Sequence, residues 1–176
     1  MAGNIITQER LKELLHYNPD TGIFTWKVNK PRVLMGSIAG TICNKYLTIK
    51  IDQVRYYSHR LAWLYMTGSF PDKTIDHINR SEGDNRFSNL RIASYSENSI
   101  NKEIKKTNTS GYKGVSWDKN KNQWLVRCMA NGKRIFLGYF DDIELAKESY
   151  INFAKKKHGK FYCDWPPCIS RYVDKV

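Results

Sequence analysis

Apolar positions along this chain change their spacing several times, and each change marks an element. Leu11, Leu14 and Leu15 recur at helical spacing, which predicts a helix over 7–17 with Thr7 as its N-cap. The turn-forming run Asn18-Pro19-Asp20-Thr21-Gly22 ends it. Ile23–Trp26 then predicts a strand, and Lys27–Arg32 a basic loop around Pro31. From Tyr46, Leu47, Ile49 and Ile51 alternate with Thr48 and Lys50. With a turn at Asp52-Gln53 and a second strand over Val54–Tyr57, this predicts a half-buried hairpin. The opposite face, near Lys45, Lys50 and Arg55, has two readings: a track for DNA or an ordinary solvated surface. His59–Met66 predicts a short helix stopped by Gly68. Short apolar runs at Thr74-Ile75 and Leu90–Ala93 predict two strands around a polar loop rich in Asp and Asn. Ser94, with Glu97 three residues on, forms a capping box that opens another helix.

Between Ile100 and Ser110 the apolar period disappears, which predicts a linker and a boundary near residue 107. Strands are then predicted over 111–117, 123–129 and 133–140, with Asn131-Gly132 as a hairpin turn. A helix opens at Asp141-Asp142 and runs to about Lys157, carrying Ile143, Ala146, Tyr150, Phe153 and Ala154 inward. The expected class is α+β: an N-terminal α/β region over 1–106, a small three-stranded antiparallel sheet packed on one helix over 107–160, and a tail over 161–176. Strand alternation points Val115, Trp117, Trp124, Val126, Cys128, Ile135 and Leu137 toward that helix. It turns Lys113, Ser116, Arg127 and Arg134 outward, with Lys133 beside them and Leu125, Met129 and Phe136 between. Trp124 has a second reading as a stacking surface for a base, but its parity with Val126 and Cys128 favours the core.

Charge changes the picture. A net charge of +12 over 176 residues favours a polyanionic partner. Nucleic acid fits better than a membrane, because no long basic amphipathic helix accompanies the charge. No apolar run is long enough to cross a bilayer. The opening MAGNIITQERLKELL lacks the apolar core of a signal peptide, so a cytoplasmic protein is expected. Cys43, Cys128, Cys163 and Cys168 form no C-x-x-C pair, which removes the usual zinc frame and leaves reduced, structural cysteines.

The polar loop and its flanks hold the candidate chemistry. Asp76 and His77 stand together at the end of one strand, and Asn98 lies on the first turns of the following helix. A strand–loop–strand–helix unit of this kind can supply one cation site and one base. Histidine titrates near neutrality and can take a proton from water. A hard cation on oxygen ligands can relieve charge on a phosphodiester.

DHIN, DNRFSNLR and SYSEN, together spanning about His59 to Asn98 with an HRLAW segment ahead, resemble the HNH (ββα-metal) endonuclease motif of phage-borne and homing-type nucleases. The resemblance places the ββα core at about 72–104. It implies His77 as general base, Asp76 and Asn98 as metal ligands, and Asn89 as the residue that ties the loop and orients His77. Asn98 stands where many relatives have histidine, and its amide oxygen suits Mg²⁺, with Mn²⁺ as the alternative, over Zn²⁺ or Ni²⁺. His59 reads as a packing or hydrogen-bonding residue beside the site. Arg86 and Arg91 are either phosphate contacts or ion-pair braces of the loop.

GYKGVSW, WLVRC, GKRIFLGYFDDIELAKESY and AKKKHG, over roughly 110–159, resemble the plant ethylene-response-factor (APETALA-type) DNA-binding domain. That likeness implies one sheet face in the DNA major groove and the helix behind the other. Ser116 and Met129 replace arginines of that family, so its sequence preference does not carry over. Together the two likenesses imply a metal-dependent nuclease on double-stranded DNA, nicking as a monomer. The alternatives are a DNA-binding regulator that keeps the scaffold without useful catalysis, and an RNA-directed nuclease.

Overall fold

The computed structural model describes residues 6–102, 104, 107–130 and 132–162. The chain divides into two compact units, Met1–Ser94 and Tyr95–Val176. Helix and strand occur in both, and the class is α+β.

The first unit opens with α1 (Gln8–Leu14), capped by the Thr7 hydroxyl, which accepts from Arg10 N at 3.2 Å. The helix is shorter than its apolar spacing predicts. Leu15–Asn18 is instead a strand, β1, paired antiparallel with β2 (Ile23–Trp26). Leu15 and Tyr17 are buried and His16 is exposed, so the period has already changed from 3.6 to 2 at Leu15. Pairing with β2 decides the matter, because it brings the Tyr17 and Phe24 rings to 4.6 Å in the core. The Asn18–Gly22 turn therefore closes a hairpin rather than ending a helix.

A three-stranded antiparallel sheet follows, made of β3 (Thr41–Cys43), β4 (Tyr46–Ile51) and β5 (Val54–Tyr57), with β4 central. The β4–β5 hairpin has the predicted bounds; β3 has too few apolar residues to announce itself. Ile49 and Ile51 are buried and Lys50 is exposed, while Thr48 is buried with its hydroxyl donating to Thr41 O at 3.1 Å. Helix α2 (Ser58–Thr67) ends at Gly68, whose left-handed φ of 83° and N–H to Leu64 O close the last turn. Leu61, Ala62 and Leu64 on α2 join Leu11, Phe24 and Ile49 in one core. Strands β6 (Thr74–His77) and β7 (Leu90–Ala93) pair antiparallel, and the 3₁₀ turn Phe87–Asn89 leads into β7.

The second unit begins with α3 (Tyr95–Asn101), immediately after Ser94. Its sheet comprises β8 (Val115–Asp118), β9 (Gln123–Ala130) and β10 (Lys133–Phe140), antiparallel with β9 central. Helix α4 (Ile143–His158) packs on it, capped by Asp142, whose Oδ1 accepts from Glu144 N and Leu145 N. Ala146 and Ala154 are buried, and Ile143, Tyr150 and Phe153 half-buried, as the helical period predicts.

Two details differ from simple alternation. Trp117 remains 41% exposed and meets Trp124 edge-on at 4.9 Å, because it lies near the open end of β8. A bulge between Phe136 and Gly138 reverses the facing of the last residues of β10. Leu137 and Phe140 thereby both pack in the core with Trp124, while Tyr139 lies opposite Leu125 on the other face. Leu125 is buried there, not presented outward as the alternation predicts. The first strand starts at Val115; Gly111 and Gly114 ahead of it have φ of 76° and 70°. The tail beyond Tyr162, with Cys163 and Cys168, lies outside the described residues, as does Asn131 of the hairpin turn.

Candidate active site and nucleic-acid interface

Register sets the site. In the β6–β7 pair, Asp76 stands opposite Arg91 and His77 opposite Leu90. Both of these β6 side chains, Asp76 and His77, are buried, Asp76 to 5% exposure. A carboxylate so far from water requires a cation, and Arg91 supplies it: Nε and Nη2 donate to Asp76 Oδ2 at 2.8 and 2.6 Å. Arg86 is similarly engaged. Its Nε and Nη2 fork onto the two oxygens of Asp84 at 2.8 and 2.5 Å, and this holds the Asp84 carboxyl below its ordinary pKa. Of the two roles open to these arginines, the ion-pair brace is the one the described contacts make.

The loop between the strands is organised by Asn89. Its Oδ1 accepts from Asn79 N at 3.0 Å, and its Nδ2 donates to Asn79 Oδ1 and to Asp84 O at 2.9 and 2.8 Å. The backbone closes around it, with Ile78 N donating to Asn89 O and Arg80 N to His77 O.

Asn85 has a contact that the sequence does not announce. It is 2% exposed, and its Oδ1 lies 3.2 Å from His77 Nε2. Its Nδ2 donates to Gly83 O at 3.3 Å, which fixes the amide with oxygen toward the imidazole. A neutral His77 then carries its proton on Nε2 and its accepting lone pair on Nδ1. The only sequence signal for Asn85 was its place in the DNR run.

The first hairpin buttresses this loop. Tyr17 Oη donates to Asn85 O at 2.7 Å, and Phe87 N donates to Pro19 O at 3.0 Å. Burial, with Asp84 and Asp20 nearby, raises the Tyr17 pKa and keeps that donor protonated. Gly22 has φ of 72°, and a Cβ there would lie 2.4 Å from the backbone of Asn85 and Arg86. Gly22→Ala is expected to cost about 2–3 kcal/mol, from left-handed strain and displacement of the loop. An unchanged denaturation midpoint would show that the hairpin does not support the loop.

Aromatic rings flank His77. His59, at the start of α2, meets His77 edge-on at 5.2 Å; Tyr57 stacks on His59 at 5.5 Å; Tyr46 lies 5.5 Å from Tyr57 and 6.3 Å from His77. His59 Nδ1 is buried without a hydrogen bond. Burial, then His77 and Arg60, lower its pKa from 6.5 to about 3, so the ring is neutral. The unfolded chain takes up this proton near pH 6.5, so the stabilising difference is intact above that pH and declines as pH falls toward 3. His59→Phe is expected to lose less stability than wild type between about pH 7 and about pH 5, read as denaturant midpoints. Parallel declines would exclude His59 as the source.

Among the described residues, no group of three or more His, Cys, Asp and Glu side chains could hold a metal ion. The donor set proposed from the sequence is sparser: one carboxylate, Asp76, and one amide, Asn98, half-buried on α3 in the second unit. Such a set does not suit tetrahedral zinc. It does fit Mg²⁺, which keeps several waters and takes one or two protein oxygens together with substrate phosphate.

In the second unit, Ser116, Arg127 and Arg134 share the sheet face away from α4 with Met129 and Phe136, and Phe136 is 56% exposed. Lys133 is exposed but pairs with Ala130, of the opposite parity. Lys113 precedes the sheet, is half-buried and donates to Ile100 O at 2.6 Å.

Among the described residues, no helix is long and apolar enough to cross a membrane. A family model described as HNH endonuclease matches residues 56–100, and one described as AP2 domain matches residues 110–160. The first covers α2 through most of α3, and the second covers the three-stranded sheet and α4. Protein 3.8 of Escherichia phage T7 is 35% identical over 104 residues, which covers 58% of this chain and 85% of that protein. No solved structure matches. Strands β6 and β7 with their Asn-braced loop, the sheet packed on α4 and these likenesses agree, and the chain belongs to the HNH endonuclease family of phage proteins, with an AP2 domain C-terminal to the HNH motif.

Proposed function

We propose that this protein is a metal-dependent endonuclease that nicks one strand of double-stranded DNA as a monomer. The observation that carries the reading is the buried Asp76–His77 pair, with His77 Nε2 3.2 Å from Asn85 Oδ1. His77 takes a proton from the attacking water, the water oxygen bonds to phosphorus, and the bond from phosphorus to the 3′ oxygen breaks. Asp76 and Asn98 are the side chains that would hold a divalent cation, Mg²⁺ or alternatively Mn²⁺. When bound, it neutralises charge on the phosphodiester and the leaving oxygen. Asn89 keeps the loop, and through it His77, in place.

Functionally the division falls near residue 107, in the 101–109 gap between the two family matches. The AP2 sheet face, with Ser116, Arg127 and Arg134, meets the duplex, and Lys133 adds charge at its end. Phosphate contacts there give affinity and base edges give discrimination. Host cytoplasm is the setting this reading implies.

Supercoiled plasmid incubated with the protein and Mg²⁺ or Mn²⁺ is expected to become open-circular before any linear form appears, and EDTA is expected to prevent it. A second reading, a DNA-binding regulator on an inactive scaffold, is favoured by the Arg91 guanidinium already paired with Asp76. A tight gel shift with no nicks under either metal would establish that reading instead. Competition between duplex DNA and structured RNA tests the substrate.

A further inference from the structure

The β3–β4–β5 sheet has basic residues at positions that stability alone would fill otherwise. Lys50 and Arg55 stand directly opposite each other across β4 and β5, and like charges so placed repel. Lys45 occupies the second position of the β3–β4 turn at φ 74°, after Asn44 at 48°, where glycine is the unstrained choice. All three side chains are exposed, and none forms an ion pair among the described residues. Arg55 Nη1 donates to the Cys43 sulfur at 3.6 Å.

Register places Lys50, Arg55, Thr48 and Tyr57 on one face, with Tyr46 two residues before Thr48 on the same side. The face therefore runs from a pair of unneutralised cations to Tyr57 and Tyr46, and so to the His59 and His77 rings. Tyr57 stacks on His59 yet remains 48% exposed. Cations beside exposed aromatic rings suit a sugar–phosphate backbone, the cations taking phosphates and the ring a sugar or base.

We propose that this sheet face is a second DNA-contact surface, separate from the AP2 sheet, that guides the duplex beside the scissile phosphate toward His77. Lys50 and Arg55 bind neighbouring phosphates at one end of β4, Lys45 binds one farther along from the turn at the other end, and Tyr57 packs against a nucleotide between them. The proposal rests on His77 marking the reacting centre.

The test uses the full chain in EDTA, where no strand is cut, with a fluorescein-labelled 30-base-pair duplex of random sequence. Binding is measured by anisotropy across a salt series. The variant Lys45→Gln/Lys50→Gln/Arg55→Gln is expected to bind with a log K against log[salt] slope shallower by about 2.7, from about 0.9 for each lost phosphate contact. Tyr57→Ala is expected to weaken binding about 5-fold or more. A triple variant that melts like wild type and keeps the wild-type slope overturns the proposal, as does weakened binding at an unchanged slope. The outcome is independent of the nuclease reading. A shallower slope in a protein that never nicks plasmid would keep the surface and discard the chemistry; efficient nicking with an unchanged slope would do the reverse.

Discussion

His77→Ala is expected to reduce plasmid nicking by about 10²–10⁴-fold, the usual loss when a positioned general base is removed, while duplex binding stays near wild type. His77 is buried at the end of β6 against Leu90, and alanine there removes an imidazole without adding a charge. The melting curve should therefore shift far less than the activity. Asn85 provides a companion measurement. Asn85→Leu takes away the acceptor for His77 Nε2 and the donor to Gly83 O, and should lower the turnover rate with little change in KM. Comparable nicking by wild type and His77→Ala would remove the general base and leave the regulator.

Arg91→Met carries the largest expected effect on stability. It retains much of the side chain's bulk but leaves Asp76 as a buried carboxylate without the guanidinium that now donates two hydrogen bonds to it. Removing one partner of a buried pair costs about 3–5 kcal/mol. The same variant tests the cation. If Asp76 is a ligand, millimolar Mg²⁺ should raise the melting temperature of Arg91→Met by more than that of wild type, since the ion then takes over part of the lost neutralisation. Mg²⁺ that moves neither melting curve would exclude Asp76 as a metal ligand. Arg91 thus has a part beyond bracing: its guanidinium supplies the counter-charge to a carboxylate that is 5% exposed.

Local signals were legible wherever one element's chemistry sufficed. The β4–β5 hairpin, β2, β7 and β10 have their predicted bounds because alternation or turn residues specify them without help from elsewhere. Thr7 and Asp142 cap their helices because a short side-chain oxygen ahead of an apolar period has a local partner. The DHIN and DNRFSNLR runs are equally local, since strand, loop and strand lie within twenty residues and bring Asp76, His77 and Asn89 into one hairpin.

What failed was what depends on a distant partner. Leu15 satisfied a helical period and a strand period equally, and only pairing with Trp26 selected the strand. Leu125 was given an outward direction by alternation and is nevertheless buried, between Ser116 and Tyr139, because a bulge one strand away turns Tyr139 to that face. Arg86 and Arg91 were each open to two roles until register set Arg91 opposite Asp76 and the loop folded Arg86 onto Asp84.

By itself, then, the sequence determined the order of elements, the basic character that calls for nucleic acid and the identity of the acid–histidine pair, because each is written in neighbouring residues. The tertiary structure alone decided that Tyr17, Pro19 and Gly22 hold the loop from 60 or more residues away, that Asn85 orients the imidazole, and that Tyr46, Tyr57 and His59 stand beside it. Those contacts join segments far apart in the chain, and no local period or motif encodes which two distant surfaces will meet.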